Sequence, residues 1–189
     1  MKKILFIAYP DYADFEVAHI LFFARKIGKC EIITATVDGK SVQSLAGLTI
    51  TPQKSLREVD VTMFDLILLP GGDGISLMLN ERILIETLQK ANARKINISS
   101  ICASSVLVGQ AGLLKDKEFT CNSSTYDRFH NVFSNAKYTG SRMEVSDLII
   151  TAKGTAFPDF TVAVGDKLEI WNNEEQRKHV LSFCKGEVD

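Results

Sequence analysis

The chain has 189 residues, 46% of them hydrophobic and 24% charged, which is a globular composition and excludes a disordered or collagen-like protein. Its 22 basic and 23 acidic residues give a net charge of −1, so no long-range field favours nucleic acid or anionic lipid. The longest apolar runs fall well short of the roughly 20 residues that cross a bilayer, and the start of the chain carries no cleavage signal. We therefore expect one domain over residues 1–189, in the cytoplasm, without a nucleic-acid or membrane partner.

The first half of the chain alternates apolar strands with helices. Apolar runs at residues 3–9 and 64–69 predict strands buried on both faces, as in parallel sheets, and residues 30–37 predict a further strand. Helical spacing predicts helices over residues 15–27, ending at Gly28, and over about 76–92. A further short strand is predicted over residues 48–51.

The second half continues the alternation. A strand at residues 96–101 leads directly into a helix of small residues at 103–112. Beyond it the sequence predicts two strands and three helices: strands 118–121 and 147–152, and helices around 126–133, 160–170 and 174–183. The whole pattern predicts an α/β sandwich with a mostly parallel sheet. Functional groups in such sheets collect beyond the carboxyl ends of the strands, where residues 10–16, 70–74 and 101–103 form loops.

The four cysteines are expected to be free thiols, since none lies in a C-x-x-C pair or at zinc-ligand spacing from a histidine, and no metal site is expected. Cys102 differs from the others because it stands where a buried strand turns directly into a helix. This is the geometry of a nucleophile elbow, and the positive end of the helix dipole favours a thiolate there. The alternative is a small apolar side chain filling the end of a strand.

A glycine-rich loop, Pro70-Gly71-Gly72-Asp73-Gly74, follows the middle strand. It is neither a P-loop nor a G-x-G-x-x-G fingerprint, so we expect no nucleotide or other cofactor. The loop is either a tight turn that needs positive φ or a donor loop in which the Gly72 N–H joins the Ala103 N–H as an oxyanion hole.

Glu16 begins the first helix on a face that is otherwise apolar. It is either a solvated acid in the first helical turn or a carboxyl that points into the site, where burial raises its pKa and lets it act as an acid or base. His19, one helical turn away, could face it, but none of the three histidines is adjacent to Cys102 in sequence. Cys121 is either a second thiol near the site or a core residue.

Three motifs in this order resemble the ThiJ/PfpI family: Asp14-Phe15-Glu16, Leu69-Pro70-Gly71-Gly72 and Ser100-Ile101-Cys102-Ala103-Ser104. The resemblance covers nearly the whole chain. It implies a flavodoxin-like three-layer sandwich, a homodimer and an oxidisable nucleophile at Cys102. By the same resemblance, Glu16 hydrogen-bonds the thiol, and Gly72 and Ala103 supply the oxyanion N–H groups. Members of the family act as glyoxalase- or deglycase-like enzymes on small reactive aldehydes, or as oxidative-stress sensors.

The sequence departs from the family pattern at several positions. Asn122, in Thr120-Cys121-Asn122, stands where deglycase-like members have a histidine, and we expect Cys121 and Asn122 to line the wall of the site. Family proteases have a histidine where this chain has Ala103, and the H-x-E of amidotransferase relatives is absent, so both activities are disfavoured. The late Gly-Pro-Gly-Thr turn is replaced at residues 154–158.

Three functional hypotheses follow. The first is an enzyme without a cofactor, in which Cys102 adds to the carbonyl of a small dicarbonyl substrate and Glu16 moves a proton. The second is a sensor or protective protein that works through oxidation of Cys102. The third is a family member that has lost its activity, which the residue at Asn122 and the altered late turn suggest.

Overall fold

A computed structural model describes residues 1–188 of the chain. The strands are β1 Lys3–Ile7, β2 Glu31–Thr36, β3 Val42–Gln43, β4 Thr49–Ile50, β5 Lys54–Ser55, β6 Leu66–Leu69, β7 Asn97–Ile101, β8 Glu118–Phe119, β9 Lys137–Tyr138, β10 Met143–Val145 and β11 Ile149–Ala152. Seven of them form the central sheet in the order β10-β11-β7-β6-β1-β2-β5. Every neighbouring pair in it is parallel except β10 and β11.

Helices cover the sheet and bury its apolar strands. They are α1 Phe15–Lys26, α2 Ile75–Met78, α3 Arg82–Ala93, α4 Ser105–Gln110, α5 Ser123–Phe129, α6 Phe157–Leu168 and α7 Glu174–Cys184. α1 packs on α6, which also contacts α7, whereas α3 packs on α4. The residues of β6 are all buried, and those of β1 are all buried apart from Lys3, as the continuous apolar runs predicted.

The sheet order places the site. From β1 the chain continues to β2 on one side, whereas β6 and then β7 lie on the other side of β1. The loops after β1 and β6 therefore begin at a topological switch point, where α/β sheets bind their ligands. The loop after β7 adjoins them, so the three predicted loops meet at one edge of the sheet. The predicted mostly parallel α/β sandwich is confirmed.

Two predicted elements differ in the structure. The single helix predicted over residues 76–92 is wrong: α2 and α3 are separate helices, and between them Asn80 adopts a left-handed conformation with φ +69° that an α-helix does not accommodate. The strand predicted at residues 48–51 exists as β4, but it pairs only with β3 in a separate hairpin rather than in the central sheet.

Within residues 1–188, no helix combines the length and apolar character needed to cross a membrane. The same residues contain no cluster of three or more histidine, cysteine or acidic side chains suited to a metal ion.

Candidate active site

Cys102 stands at a sharp turn immediately after β7. It begins a 3₁₀ turn, Cys102–Ser104, and its φ of +60° lies in the left-handed region, which side chains other than glycine rarely occupy. The Ser104 hydroxyl holds this turn, because its Oγ accepts from the Ile101 N–H at 3.0 Å and lies 3.0 Å from the Leu69 carbonyl oxygen. The elbow is thereby tied to the end of β6. Surrounding structure of this kind is what maintains an unfavourable backbone conformation.

Glu16, in the first turn of α1, points into this elbow and is only 3% exposed. Its Oε2 accepts a hydrogen bond of 2.8 Å from the Gly71 N–H, and its carboxyl is hydrogen-bonded to the Cys102 thiol. Glycine is required beside the carboxyl, since a Cβ on Gly154 would lie 2.6 Å from Oε1 and a Cβ on Gly71 would overlap Oε2. Of the two interpretations of Glu16, the structure shows the buried carboxyl.

The thiol and the carboxyl each hold their proton more firmly than in water. Burial raises the pKa of Glu16 to about 7, against the opposing effect of hydrogen bonds with Cys102 and Gly71. Burial and the negative charge of Glu16 raise the pKa of the Cys102 thiol, while the Ala103 N–H lowers it. The expectation that the helix terminus favours the thiolate is therefore outweighed. The helix is only six residues long, and the effects of burial and of the Glu16 charge on the thiol are larger than that of the Ala103 N–H.

Asn122 makes a second polar contact with the sulfur. Its Nδ2 donates to Cys102 Sγ at 3.1 Å, and its Oδ1 accepts from the Gly154 N–H at 2.9 Å. The neighbouring Cys121 is fully buried, and its backbone carbonyl accepts from the Tyr138 hydroxyl at 3.3 Å. Of the two residues predicted for the site wall, Asn122 lines the cavity and Cys121 lies behind it.

A cavity of about 330 Å³ opens over these groups. Cys102, Glu16 and Ala103 lie in its wall, and Gly72 contributes backbone. Gly72 has a φ of +137°, and a Cβ there would lie 2.6 Å from Tyr12 Cα, so the loop needs glycine at this point. Within residues 1–188 the Gly72 N–H donates to no protein group. The cavity has the volume of a small-molecule site.

The histidines do not complete a cysteine–histidine pair. His19 packs against the rings of Phe157 and Phe183, with centroids 5.4 Å and 6.4 Å away, and burial lowers its pKa. His130 is exposed and contacts the carbonyl of Asp127. The interpretation that His19 faces Glu16 is thus not what the structure shows, because the aromatic side chains of α6 and α7 occupy its surroundings.

Two residues that hold the site were not predicted from sequence. One is Ser104. The other is the buried Tyr9, two residues after β1, whose hydroxyl donates to the Pro70 carbonyl at 2.8 Å and holds the glycine-rich loop. Ser104 carried a usable signal, because a serine in a tight turn commonly bonds to nearby backbone groups. Tyr9 carried none, since its partner lies 61 residues away.

The chain combines a mostly parallel α/β sandwich with a strained cysteine elbow and an adjoining buried carboxyl. These features define a class of α/β proteins whose site is built on a cysteine. Comparison with known proteins identifies the family. The model of the DJ-1/PfpI family matches residues 2–167. The chain belongs to the DJ-1/PfpI family, and the resemblance found in the sequence is confirmed.

Curated relatives and solved structures agree with this assignment. The chain is 28% identical over 144 residues to the glutathione-independent glyoxalase DJR-1.2 of Caenorhabditis elegans, covering 75% of each protein. It is 25% identical over 183 residues to the uncharacterized protease YoaZ of Bacillus subtilis, covering 90% of this chain and 85% of that protein. A DJ-1 superfamily protein of Agrobacterium tumefaciens superposes with a TM-score of 0.88 at 26% identity, covering 100% of both chains. Drosophila melanogaster DJ-1beta shares the fold, with a TM-score of 0.81 at 22% identity over 96% of both chains.

Proposed function

We propose that this protein is a cofactor-independent enzyme that converts small reactive 1,2-dicarbonyls such as methylglyoxal, with Cys102 as the nucleophile. The observation that carries the proposal is the contact between a partly exposed thiol and a buried carboxyl whose pKa is raised to about 7, beside a cavity of about 330 Å³. A carboxyl with a pKa near neutrality both gives and takes protons at physiological pH. The 28% identity to a nematode protein named as a glyoxalase supports the same chemistry.

The proposed reaction begins with addition of sulfur to the aldehyde carbon. Ionised Glu16 takes the proton of the Cys102 thiol as the sulfur bonds to that carbon and the carbonyl π electrons move to oxygen. The N–H groups of Gly72 and Ala103 stabilise the oxyanion until Glu16 returns that proton to it. Glu16 then removes the hydrogen on that carbon as a proton, and C2 is protonated in its place, which gives a 2-hydroxyacyl thioester. Water hydrolyses the thioester, releases the 2-hydroxy acid and restores the thiol. Substrate plus one water equals product, so no electron acceptor is needed.

Consumption of methylglyoxal by the purified protein tests this proposal. Cys102→Ser should lower turnover at least about 100-fold, because the hydroxyl is a far weaker nucleophile than the sulfur. Cys184→Ser, at a buried cysteine on α7, is the matched control and should keep the activity of the folded protein. Absence of turnover in the unaltered protein, or equal turnover in Cys102→Ser, would refute the proposal.

A sensor function is the second candidate. Cys102 is the one cysteine of the four that is not buried, so peroxide can reach its sulfur first. A protonated Glu16 and the Asn122 amide can both donate to the oxygens of a sulfinate. Peptide mapping by mass spectrometry after graded peroxide should show oxygen added to Cys102 before the other cysteines. Uniform uptake at all four would contradict a sensor function.

We also infer that the protein is a cytoplasmic homodimer. Exposed phenylalanine side chains on α1 and α7 support a homodimer: Phe15 and Phe22 are 57% and 47% exposed, and Phe183 is 40% exposed. Four free cysteines support a reducing compartment, the cytoplasm.

A further inference from the structure

We propose that Asn122 is a positioning residue that fixes the Cys102 sulfur and supports negative charge on it, so that Glu16 is the single acid–base group in contact with the sulfur. The inference deepens the proposed function, since it concerns the same nucleophile. It concerns the sulfur itself, however, and can be tested without any dicarbonyl substrate.

The orientation of the Asn122 amide is fixed by the backbone. A backbone N–H can only donate, so the Gly154 N–H, 2.9 Å away, requires the Asn122 carbonyl oxygen to face it. The NH₂ end is then turned towards Cys102 Sγ at 3.1 Å, where it can only donate. The amide thus links the sulfur to the turn that begins at Gly154 and restricts the rotamer of Cys102.

The Asn122 amide interacts with the sulfur differently from a histidine ring at the same position. A carboxamide does not titrate, so it cannot accept the thiol proton, but its N–H stabilises a thiolate more than a thiol. Asn122 therefore acts against the burial and the Glu16 charge that disfavour the thiolate.

The other charged and titratable groups around the sulfur do not replace Glu16. Tyr9, just after β1, has a pKa raised well above its usual value by burial, and burial raises the pKa of Cys121 to about 12. Asp73 and Arg128 line the cavity, and the Arg128 guanidinium donates to the Ser76 hydroxyl at 3.0 Å. Within residues 1–188, Glu16 is the titratable side chain hydrogen-bonded to Cys102, and it belongs to α1.

Alkylation of Cys102 by iodoacetamide, measured by intact mass and peptide mapping from pH 5 to 10, tests the inference. Asn122→Ala removes the donor and should slow alkylation at pH 7 about tenfold. A hydrogen bond to a charged group shifts the equilibrium towards that charged form by about one to two orders of magnitude, so its loss lowers the thiolate fraction. Asn122→Asp replaces the donor with a negative carboxyl that disfavours the thiolate, so alkylation should slow at least about tenfold at each pH above neutrality. Asn122→His should restore a donor and add a second inflection near its own pKa.

Asn172→Asp is the matched control, because it makes the same change of charge at an exposed asparagine between α6 and α7. Its alkylation profile should superimpose on that of the unaltered protein. Circular dichroism confirms that each variant is folded, and Asn122→Ala and Asn122→His keep the test valid if Asn122→Asp does not fold. Profiles of Asn122→Ala and Asn122→His that both superimpose on the unaltered protein would overturn the inference.

The alkylation result is separate from the proposed enzyme activity. A protein that consumes no methylglyoxal but shows the expected Asn122 profiles refutes the dicarbonyl activity and supports the positioning role. A protein that turns over methylglyoxal with unchanged Asn122 profiles supports the dicarbonyl activity and refutes the positioning role.

Discussion

Glu16 occupies a position where an ionised side chain is costly. Glu16 is 3% exposed, and its carboxyl accepts one backbone hydrogen bond, from the Gly71 N–H. An ionised carboxyl here therefore lacks most of the hydrogen bonds that water would donate to it. The same burial raises its pKa to about 7, which suits it for proton transfer near neutral pH. The burial that suits Glu16 to proton transfer therefore also lowers the stability of the fold when the carboxyl is ionised.

Replacing Glu16 by glutamine should separate these two effects. Because the folded-state pKa is raised from 4.5 to about 7, the favourable contribution of the protonated carboxyl is complete below pH 4.5 and is lost as the pH rises through about 7. Glu16→Gln has no such loss, so its free energy of unfolding relative to the unaltered protein should rise by about 3 kcal/mol between pH 4.5 and 8. Denaturant titrations at several pH values measure this difference.

The same variant should lose at least about 100-fold in methylglyoxal turnover, because the amide cannot transfer a proton. Glu175→Gln, exposed in the first turn of α7, provides the comparison and should change neither quantity appreciably. A stability difference for Glu16→Gln that does not vary with pH would show that the carboxyl is already ionised or already exposed.

The sequence predicted part of the site at the residue scale. The positions of Cys102 at an elbow and of Glu16 in a first helical turn made both candidates, but local pattern left a structural alternative for each, and only the resemblance to the family paired them. The bonding role of Asn122 could not be predicted, since it depends on Gly154, 32 residues further along the chain. Contacts of that separation are set by the packing of the sheet rather than by local pattern.

At the scale of elements, α1 is held in place by helices that come much later in the chain. Phe23 on α1, Val162 on α6, and Val180 and Cys184 on α7 form a small apolar cluster separate from the main core. Glu16 lies two turns before Phe23 on the same helix. The carboxyl is therefore positioned partly by packing at the far end of α1.

Truncation of Val180 should weaken the cluster without dismantling the site. Val180→Ala removes two buried methyl groups and should lower the free energy of unfolding by about 2 kcal/mol, from lost burial and the cavity that remains. Lys178→Ala, exposed on the same helix, should stay within about 0.5 kcal/mol of the unaltered protein. Chemical denaturation measures both, and equal stabilities would show that α7 is not packed as described.

The long apolar strands were predicted, whereas several two-residue strands and the break within one predicted helix were not. Runs such as residues 64–69 indicate a buried strand, because few other structures accommodate so many consecutive apolar residues. β5 and β9 have two residues each, too few to show alternation, and they pair through contacts that only the folded chain provides. At the break between α2 and α3, Leu79 and Glu81 are extended and Asn80 is left-handed, and no proline or glycine marks these positions in the sequence.

For the whole molecule, the exposed apolar surface on α1 and α7 predicts self-association. Phe22 and Phe183 line a groove of about 420 Å³ between these helices, and a second copy of the chain would cover it. We expect sedimentation at micromolar concentration to give twice the mass of one chain, and Phe22→Glu to shift the protein towards monomer. Met63→Glu, at an apolar side chain elsewhere that is 60% exposed, should remain a dimer. Monomer for the unaltered protein would contradict this expectation.

The left-handed conformation of Cys102 has a consequence for how the sequence can vary. A side chain at φ +60° costs roughly 1–2 kcal/mol, whereas glycine adopts it without this penalty. Random substitution selected for stability alone would therefore tend to favour glycine here, and that substitution would remove the sulfur. A lineage that no longer needs the sulfur should therefore lose Cys102 before it loses the fold.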